Sequence, residues 1–360
     1  MKASVYLIEP VRIRRKADTL HLTPTSKKRD YKHPGMEIAR EMISEYPLSE
    51  EDIWWQSSPM WLPVERVADL HLYAEADMNS ALLQFLSQHG IPMHVYNYYG
   101  YYSGTYLSRD PIPNGRIQVR QFQTYWDRKE RLIVAREILN GAFHNMRNHM
   151  ARAVRRNKVP DDFLTTWDRL MVDLSEISTI EKLMGIEGML RKWYYQFLDE
   201  QLNETFKIRE RIYHPPKNRA NALISFLNSM LYTTILSECY RTQITPVTGY
   251  LHENGRHRYP LAYDLAEIFR PLLVEPLLLE MVSRKWIKEE DFDSKMNQTI
   301  LTPEGRLRVI RAFEHRLRTT ILHRDLNRSV SYRYLIRLEC YKLIKHVMGE
   351  IDYVSFKIWW

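Results

Sequence analysis

The chain has 360 residues, 44% of them hydrophobic and 27% charged, an ordinary balance for a soluble globular protein and enough length for two domains with sizeable cores. Two cysteines, Cys239 and Cys340, cannot build a disulfide framework at this size and lack metal-ligand spacing. No run of about 18 apolar residues exists, which excludes a membrane-spanning helix. The formal net charge of +8 favours a polyanionic partner, nucleic acid before a membrane surface, although solubility charge alone would give the same sum.

The opening MKASVYLIEPVRIRRK breaks its apolar run at Glu9 and Pro10, so no signal peptide is expected, and a reducing cytoplasm fits the two thiols. Residues 3–8 and 11–22 read as short strands with a turn between them. Residues 23–36, with Pro24, Pro34 and Gly35, read as a loop, and 37–45 as a short helix. Trp54, Trp55 and Trp61 are expected to pack a small domain. LPVERVADLHLY from Leu62 is strand-like, a helix runs from Asn79 to Ser87 and ends at Gly90, and IPMHVYNYY and YYSGTYL are two further strands about Gly100. The tyrosines at 96, 98, 99, 101, 102 and 106 suit strand pairing and a dimer contact better than base stacking.

DPIPNG at 110–115 is the best linker in the chain. The remainder of the chain is helical in character. Residues 119–158 are amphipathic for most of their length, with Gly141 as a candidate break, and Pro160 ends the segment. From Arg147 to Lys158 there are five Lys/Arg and no acid. Arg147, Arg152, Arg155 and Arg156 there suit phosphate contacts, or a solvated helix end.

The stretch STIEKLMGIEGMLRKWYYQFL starts a helix with capping-box spacing at Ser178 and Glu181. Leu183, Glu187, Leu190 and Tyr194 share one face, so Glu187 lies on the apolar stripe. Gly185 and Gly188 flank it at a cost of roughly 1 kcal/mol each against Ala, which suggests close approach of another backbone or a ligand. Pro215-Pro216 and Asn218 then turn into a helix over 219–240, where Asn221 either supports a site by a hydrogen bond or is a buried structural Asn.

TGYLHENGRHRYPLAYDLAEIFRPLLVEPLLLE, 248–280, puts His252 on a polar loop and Pro260 at a helix start. Asp264 and Glu267, three residues apart, share one face of that helix. Pro271 and Pro276 are expected to break or kink its far end. Taken singly, these residues read as a buried Glu paired with an Arg and as a helix with acids on its polar side. Taken together, the loop His, the paired acids and Glu187 point to a divalent-metal site. Thr302 and Pro303 begin a further helix to 318, and a last one spans 331–348. Arg306 to Lys345 holds eleven Lys/Arg against three acids, the strongest electrostatic case for nucleic acid, with Arg308, Arg311 and Arg318 as the expected backbone contacts.

GIEGMLRKWYYQFL, PPKNRANALISFLNSML, the His252 loop and YDLAEIFRP succeed one another in the order and spacing of a known family, and the chain resembles the CRISPR adaptation integrase over nearly its whole length. The resemblance implies an α+β fold, with a small N-terminal β-rich dimerisation domain over 1–112 and a larger all-helical catalytic domain over 113–360. It implies a DNA integrase and endonuclease that joins the 3′-hydroxyl ends of prespacer DNA into the repeat of a CRISPR array. Glu187, His252 and Glu267 match the family's metal ligands, and Asp264 the neighbouring acidic position, as ligand, supporting group or nucleophile-positioning residue. Carboxylates suit Mg²⁺, and an imidazole admits Mn²⁺ more readily. The implied partners are double-stranded DNA, a second copy of the chain and a small ferredoxin-like adaptation subunit, with no membrane. A structure-specific metal nuclease and a non-catalytic DNA-binding scaffold are the alternatives. No nucleophilic triad, HExxH, P-loop or GxGxxG motif is present.

Overall fold

The computed structural model describes residues 2–25, 59–107, 115–212, 215–256, 258–295 and 298–359. Two compact units emerge: residues 1–113 with 301–311, and residues 114–300 with 312–360. The loop and helix expected within 23–45 fall almost entirely outside the described residues, as do Trp54, Trp55 and most of the DPIPNG linker.

Among the described residues the N-terminal unit is built on two four-stranded sheets. Strands β1 (Ala3–Leu7), β2 (Val11–Lys16), β3 (Thr19–Pro24), β4 (Met60–Pro63), β5 (Val67–Leu72) and β6 (Ala76–Asp77) precede helix α1 (Ser80–Gln88), and β7 (Met93–Tyr96) and β8 (Tyr102–Tyr106) come after it. One sheet has the order β1-β5-β7-β8, the other β4-β3-β2-β6. The single strand expected over 11–22 is a hairpin: Ala17, at φ +50°, turns the chain, and Arg15 then pairs with Leu20. Alternation carries the core, since Val11, Ile13, Leu20 and Leu22 are buried with Val5, Leu7, Leu70 and Phe85. Asn79 caps α1 by accepting from Leu82 N at 3.1 Å, and Gly90, at φ +62°, closes it. Trp61 does not sit in this core: it is 53% exposed, against His21 and the Lys16 ammonium. Tyr96 stacks on Tyr73 at 3.9 Å, whereas Tyr98 is exposed.

The second unit is mostly helical: α2 (Gly115–Trp126), α3 (Arg128–Arg155), α4 (Asp162–Leu170), α5 (Ile180–Glu200), α6 (Arg219–Thr242), α7 (Pro260–Leu273), α8 (Glu275–Ser283) and α10 (Tyr332–Val347). Between α8 and α10 the chain makes β9 (Phe292–Lys295), β10 (Gln298–Leu301), α9 (Pro303–Arg318), β11 (Thr320–His323) and β12 (Arg328–Ser331). The all-helical expectation therefore fails at two hairpins, β9-β10 and β11-β12. Each strand has only four residues, too short for alternation to stand out from a polar loop.

Helix α7 is apolar on most of its circumference and packs against α3 and α6, burying Leu261, Leu265, Ile268, Phe269 and Leu272. Asp127 caps α3 by accepting from Lys129 N and Glu130 N. Gly141 does not break α3. A β-carbon there would fall 2.8 Å from Ser355 Cβ and 3.1 Å from Phe356 O, so its role is to admit the C-terminal segment. Asn145 anchors that segment, donating to Phe356 O and accepting from Ile358 N. Pro271 sits inside α7; the break falls at Val274, and Pro276 occupies the first turn of α8. Cys239 and Cys340 are free buried thiols 4.0 Å apart. Among the described residues no helix is long and apolar enough to cross a membrane.

Candidate metal and catalytic site

Four elements of the helical unit supply the site. Glu187 and Arg191 stand one turn apart on α5, Asp264, Glu267 and Arg270 on α7, Glu275 on the first turn of α8, and His252 in the loop between α6 and α7. The α5 cap is Thr179, one residue after the expected start, accepting from Lys182 N at 3.3 Å. Leu183, Leu190 and Tyr194 are buried on the face that carries Glu187, as the periodicity predicts. A β-carbon on Gly185 or Gly188 would meet nothing within 4 Å, so of the two expected neighbours, another backbone or a ligand, no backbone comes close among the described residues.

Asp264 is fully buried and organises the loop. Its Oδ2 accepts from Tyr250 N at 2.5 Å and Leu251 N at 3.1 Å, and its Oδ1 from His252 N at 2.9 Å. The His252 Nδ1–H donates to the same Oδ1 at 2.8 Å. A turn of loop and an imidazole are thus fastened to one carboxylate, and any ligand role of His252 falls to Nε2. Gly249 permits this closeness: a β-carbon there would lie 2.8 Å from Pro260 Cβ and 3.0 Å from Asp264 Oδ2. Burial disfavours the charged imidazole, but the Asp264 bond and the charges of Asp264 and Glu267 outweigh it and raise the His252 pKa.

Arg191, itself 5% exposed, holds three carboxylates with three nitrogens. Its Nε donates to Glu187 Oε1 at 3.1 Å, its Nη2 to Glu267 Oε2 and its Nη1 to Glu275 Oε1 at 3.4 Å. Arg270 Nη1 lies 2.8 Å from Glu267 Oε1, and its Nη2 donates to Tyr232 Oη. Burial alone would push the Glu267 carboxyl up; Arg191, Arg270 and His252 reverse this and hold it below the usual carboxylate range. For Glu275 burial wins, and its pKa is raised despite the two arginines. Its Oε2 has no hydrogen-bond partner among the described residues.

Glu187 and Glu267 therefore meet on one guanidinium, and Glu267 and His252 are electrostatic neighbours. This donor set, two carboxylates and an imidazole fixed by a buried carboxylate, suits a hard divalent cation. Among the described residues no three His, Cys, Asp or Glu side chains stand placed to hold a metal ion, and the cation found between Glu187 and Glu267 is Arg191 itself. Sequence reading missed Arg191, Arg270 and Glu275. Spacing carried the first two, at i+4 from Glu187 and i+3 from Glu267; nothing marked Glu275 in LLVEPLLLE. Asn221 belongs elsewhere: it accepts from Arg211 Nη1 and Ile212 N and donates to Glu210 O, tying down the chain before α6.

Of the basic residues, Arg155 and Arg156 are exposed at the end of α3 and Arg152 is half-buried. Arg147 is exposed but engaged through both Nε and Nη2 by Asp168 at 2.7 and 2.8 Å. Arg308 is buried, 7% exposed, a position that offers little to a phosphate and corrects the expectation of a backbone contact there. Arg311 is half-buried, and Arg318 Nε lies 3.7 Å from Glu314 Oε2.

A family model described as CRISPR associated protein Cas1 matches residues 53–315. A Thermodesulfovibrio yellowstonii protein named CRISPR-associated endonuclease Cas1 3 is 42% identical over 299 residues, 83% of this chain and 91% of its own. A solved CAS1 protein from Thermotoga maritima superposes with a TM-score of 0.80 at 34% identity, over 98% of this chain and 99% of that one. A casposase bound to its integration product gives a TM-score of 0.81 at 17% identity, over 99% and 93% of the two chains, a likeness of fold.

Proposed function

The chain belongs to the Cas1 family of CRISPR-associated endonucleases and integrases, and from that membership we propose that it joins the 3′-hydroxyl ends of short prespacer DNA into the repeat of a CRISPR array by metal-dependent transesterification. The observation that carries this reading is the convergence of Glu187 and Glu267 on one guanidinium, with His252 fixed by Asp264 and in the field of Glu267. In this proposal Glu187, Glu267 and His252 Nε2 hold Mg²⁺ or Mn²⁺. Bound there, such a cation stabilises the charge that builds on the attacked phosphate and lowers the pKa of the attacking hydroxyl. Asp264 keeps the imidazole oriented and the loop closed. Arg191 and Arg270 offset the mutual repulsion of the acids and hold the buried Glu267 carboxyl below the usual carboxylate range. Hydrolysis is the same displacement with water in place of the 3′-hydroxyl, which makes endonuclease activity a property of the same residues.

The N-terminal unit, residues 1–113 with 301–311, is assigned the dimer contact, and the small ferredoxin-like subunit is the proposed partner of that dimer. Arg155 and Arg156 are assigned to the DNA backbone. The competing scaffold reading draws on Arg191, since acids that merely satisfy an arginine need no metal.

The deciding experiment supplies duplex DNA with free 3′-hydroxyl ends, a repeat-containing plasmid and Mn²⁺ or Mg²⁺. Joined products that vanish with chelator, and with Glu187→Ala while DNA binding persists, support the proposal. Nicks without joining favour a plain nuclease, and products that survive chelation or Glu187→Ala end the metal assignment.

A further inference from the structure

Arg191 holds the oxygens that a cation between Glu187 and Glu267 would need. Its Nε takes Glu187 Oε1 and its Nη2 takes Glu267 Oε2, so one guanidinium engages both acids assigned to the metal. Arg270 meets the other oxygen of Glu267 at 2.8 Å and has the Tyr232 hydroxyl as a second partner. With Arg191 in this position, no three donors among the described residues stand placed to hold a metal ion. A guanidinium and a divalent cation cannot use the same lone pairs, and like charges that close repel. Glu187 and Glu267 become available only when Arg191 lets go of them. Arg191 is itself buried and has no solvent to retreat into. A buried guanidinium without a counter-charge is costly, so its release needs a second seat.

The third carboxylate supplies one. Glu275 is fully buried in the first turn of α8, an end of the helix that favours an anion. Its Oε1 takes a bond from Arg191 Nη1 at 3.4 Å, the longest of the three that this arginine makes with carboxylates. Its Oε2 is buried and has no hydrogen-bond partner among the described residues. A carboxylate can accept a guanidinium through two parallel bonds, so Glu275 offers the unused half of such a fork within reach of Arg191. A buried carboxylate oxygen left unserved is unfavourable in the arrangement seen. It is served in one where Arg191 turns fully to Glu275. Glu187 is the least buried of the three acids, so the departure of Arg191 opens the pair on its solvent side.

Resting on the metal-dependent reading above, we propose that Arg191 is a placeholder for the cation and that Glu275 is its alternative seat. Arg191 bridges Glu187 and Glu267 in the metal-free chain and pairs with both oxygens of Glu275 when those two acids take a divalent ion. Glu275 is then a positioning residue that sets metal affinity through Arg191, without touching the metal. The exchange leaves no buried charge stranded in either state, which is what lets a site so rich in acids fold before it is loaded.

The test measures Mn²⁺ affinity of the full chain, without DNA, by isothermal calorimetry. Glu275→Gln keeps the shape of the second seat but removes its charge, and should weaken Mn²⁺ binding about ten-fold or more. Arg191→Met removes the competitor, and Mn²⁺ should bind it more tightly than wild type. The double variant decides. With no arginine to reseat, Glu275→Gln should change the affinity of the Arg191→Met chain by less than about two-fold. Equal weakening by Glu275→Gln in both backgrounds would mean that Glu275 acts on the metal directly, and overturns the handover. If Arg191→Met fails to fold, Arg191→Lys keeps a charge without the planar fork and should also bind Mn²⁺ more tightly than wild type; unchanged or weaker binding to the folded variant overturns the placeholder role. A wild-type chain that binds no Mn²⁺, or whose affinity His252→Ala leaves intact, would refute the metal assignment itself. Mn²⁺ binding that His252→Ala abolishes but Glu275→Gln leaves untouched refutes only the handover.

Discussion

Arg191→Met removes the cation on which three carboxylates meet and leaves a side chain of similar length. Arg191 is 5% exposed, Glu267 2% and Glu275 0%, so solvent cannot replace the lost partner. Glu267 keeps Arg270 at 2.8 Å, whereas Glu275 loses the guanidinium that stands 3.4 Å from its Oε1. Breaking one side of a buried ion pair costs about 3–5 kcal/mol, a large share of the roughly 5–15 kcal/mol that holds a domain together. Urea denaturation monitored by helix signal should show that loss for Arg191→Met. Glu275→Gln placed in the same chain should recover part of it, because the stranded charge is then gone, and the double-mutant cycle should give a coupling of about 1–3 kcal/mol. A loss under about 1 kcal/mol, or strict additivity of the two substitutions, would refute the claim that Arg191 neutralises the buried acids.

Residues outside that cluster give further expected outcomes. His149 is buried against Tyr194 and Phe197, and burial depresses its pKa from 6.5 to about 3. A depressed imidazole contributes stability present above the unfolded value and lost as pH falls through the window toward the folded one. Stability should therefore drop by up to about 1.4 kcal/mol per pH unit below about 6.5, and His149→Gln, weaker at neutral pH, should show a shallower acid slope in urea titrations. Gly141→Ala should cost about 1–3 kcal/mol by overpacking, with faster hydrogen exchange at residues 353–358; an unchanged midpoint would mean that the C-terminal segment yields freely. Arg155→Gln and Arg156→Gln should each flatten the slope of log affinity against log salt by roughly 0.9 on every duplex alike. Arg308→Gln, by contrast, should lower the unfolding midpoint and leave that slope unchanged; the opposite pattern would return Arg308 to the DNA-binding surface.

Composition, charge and local pattern determined much of this protein by themselves. The strand-rich N-terminal residues, the helix that carries Glu187 on its apolar stripe, the Pro260 helix start and the Asp264–Glu267 spacing all arise from short-range rules of period and capping. Even the competing meaning of Glu187, a buried Glu paired with an arginine, was legible, and Arg191 at i+4 supplies that partner. What only the tertiary structure decided are relations between distant segments. Glu275 enters the site because α8 returns its first turn to Arg191, and no local period encodes that return. Gly141 and Gly249 look like helix breaker and loop filler until the C-terminal segment and Asp264 arrive at their missing side chains. Arg308 lies in the most basic stretch yet is buried, because formal charge is a property of the chain whereas exposure is a property of packing. Asp264 completes the contrast: two residues alike in sequence, three apart on one face, divide their tasks because the His252 loop folds onto the first and Arg191 and Arg270 onto the second.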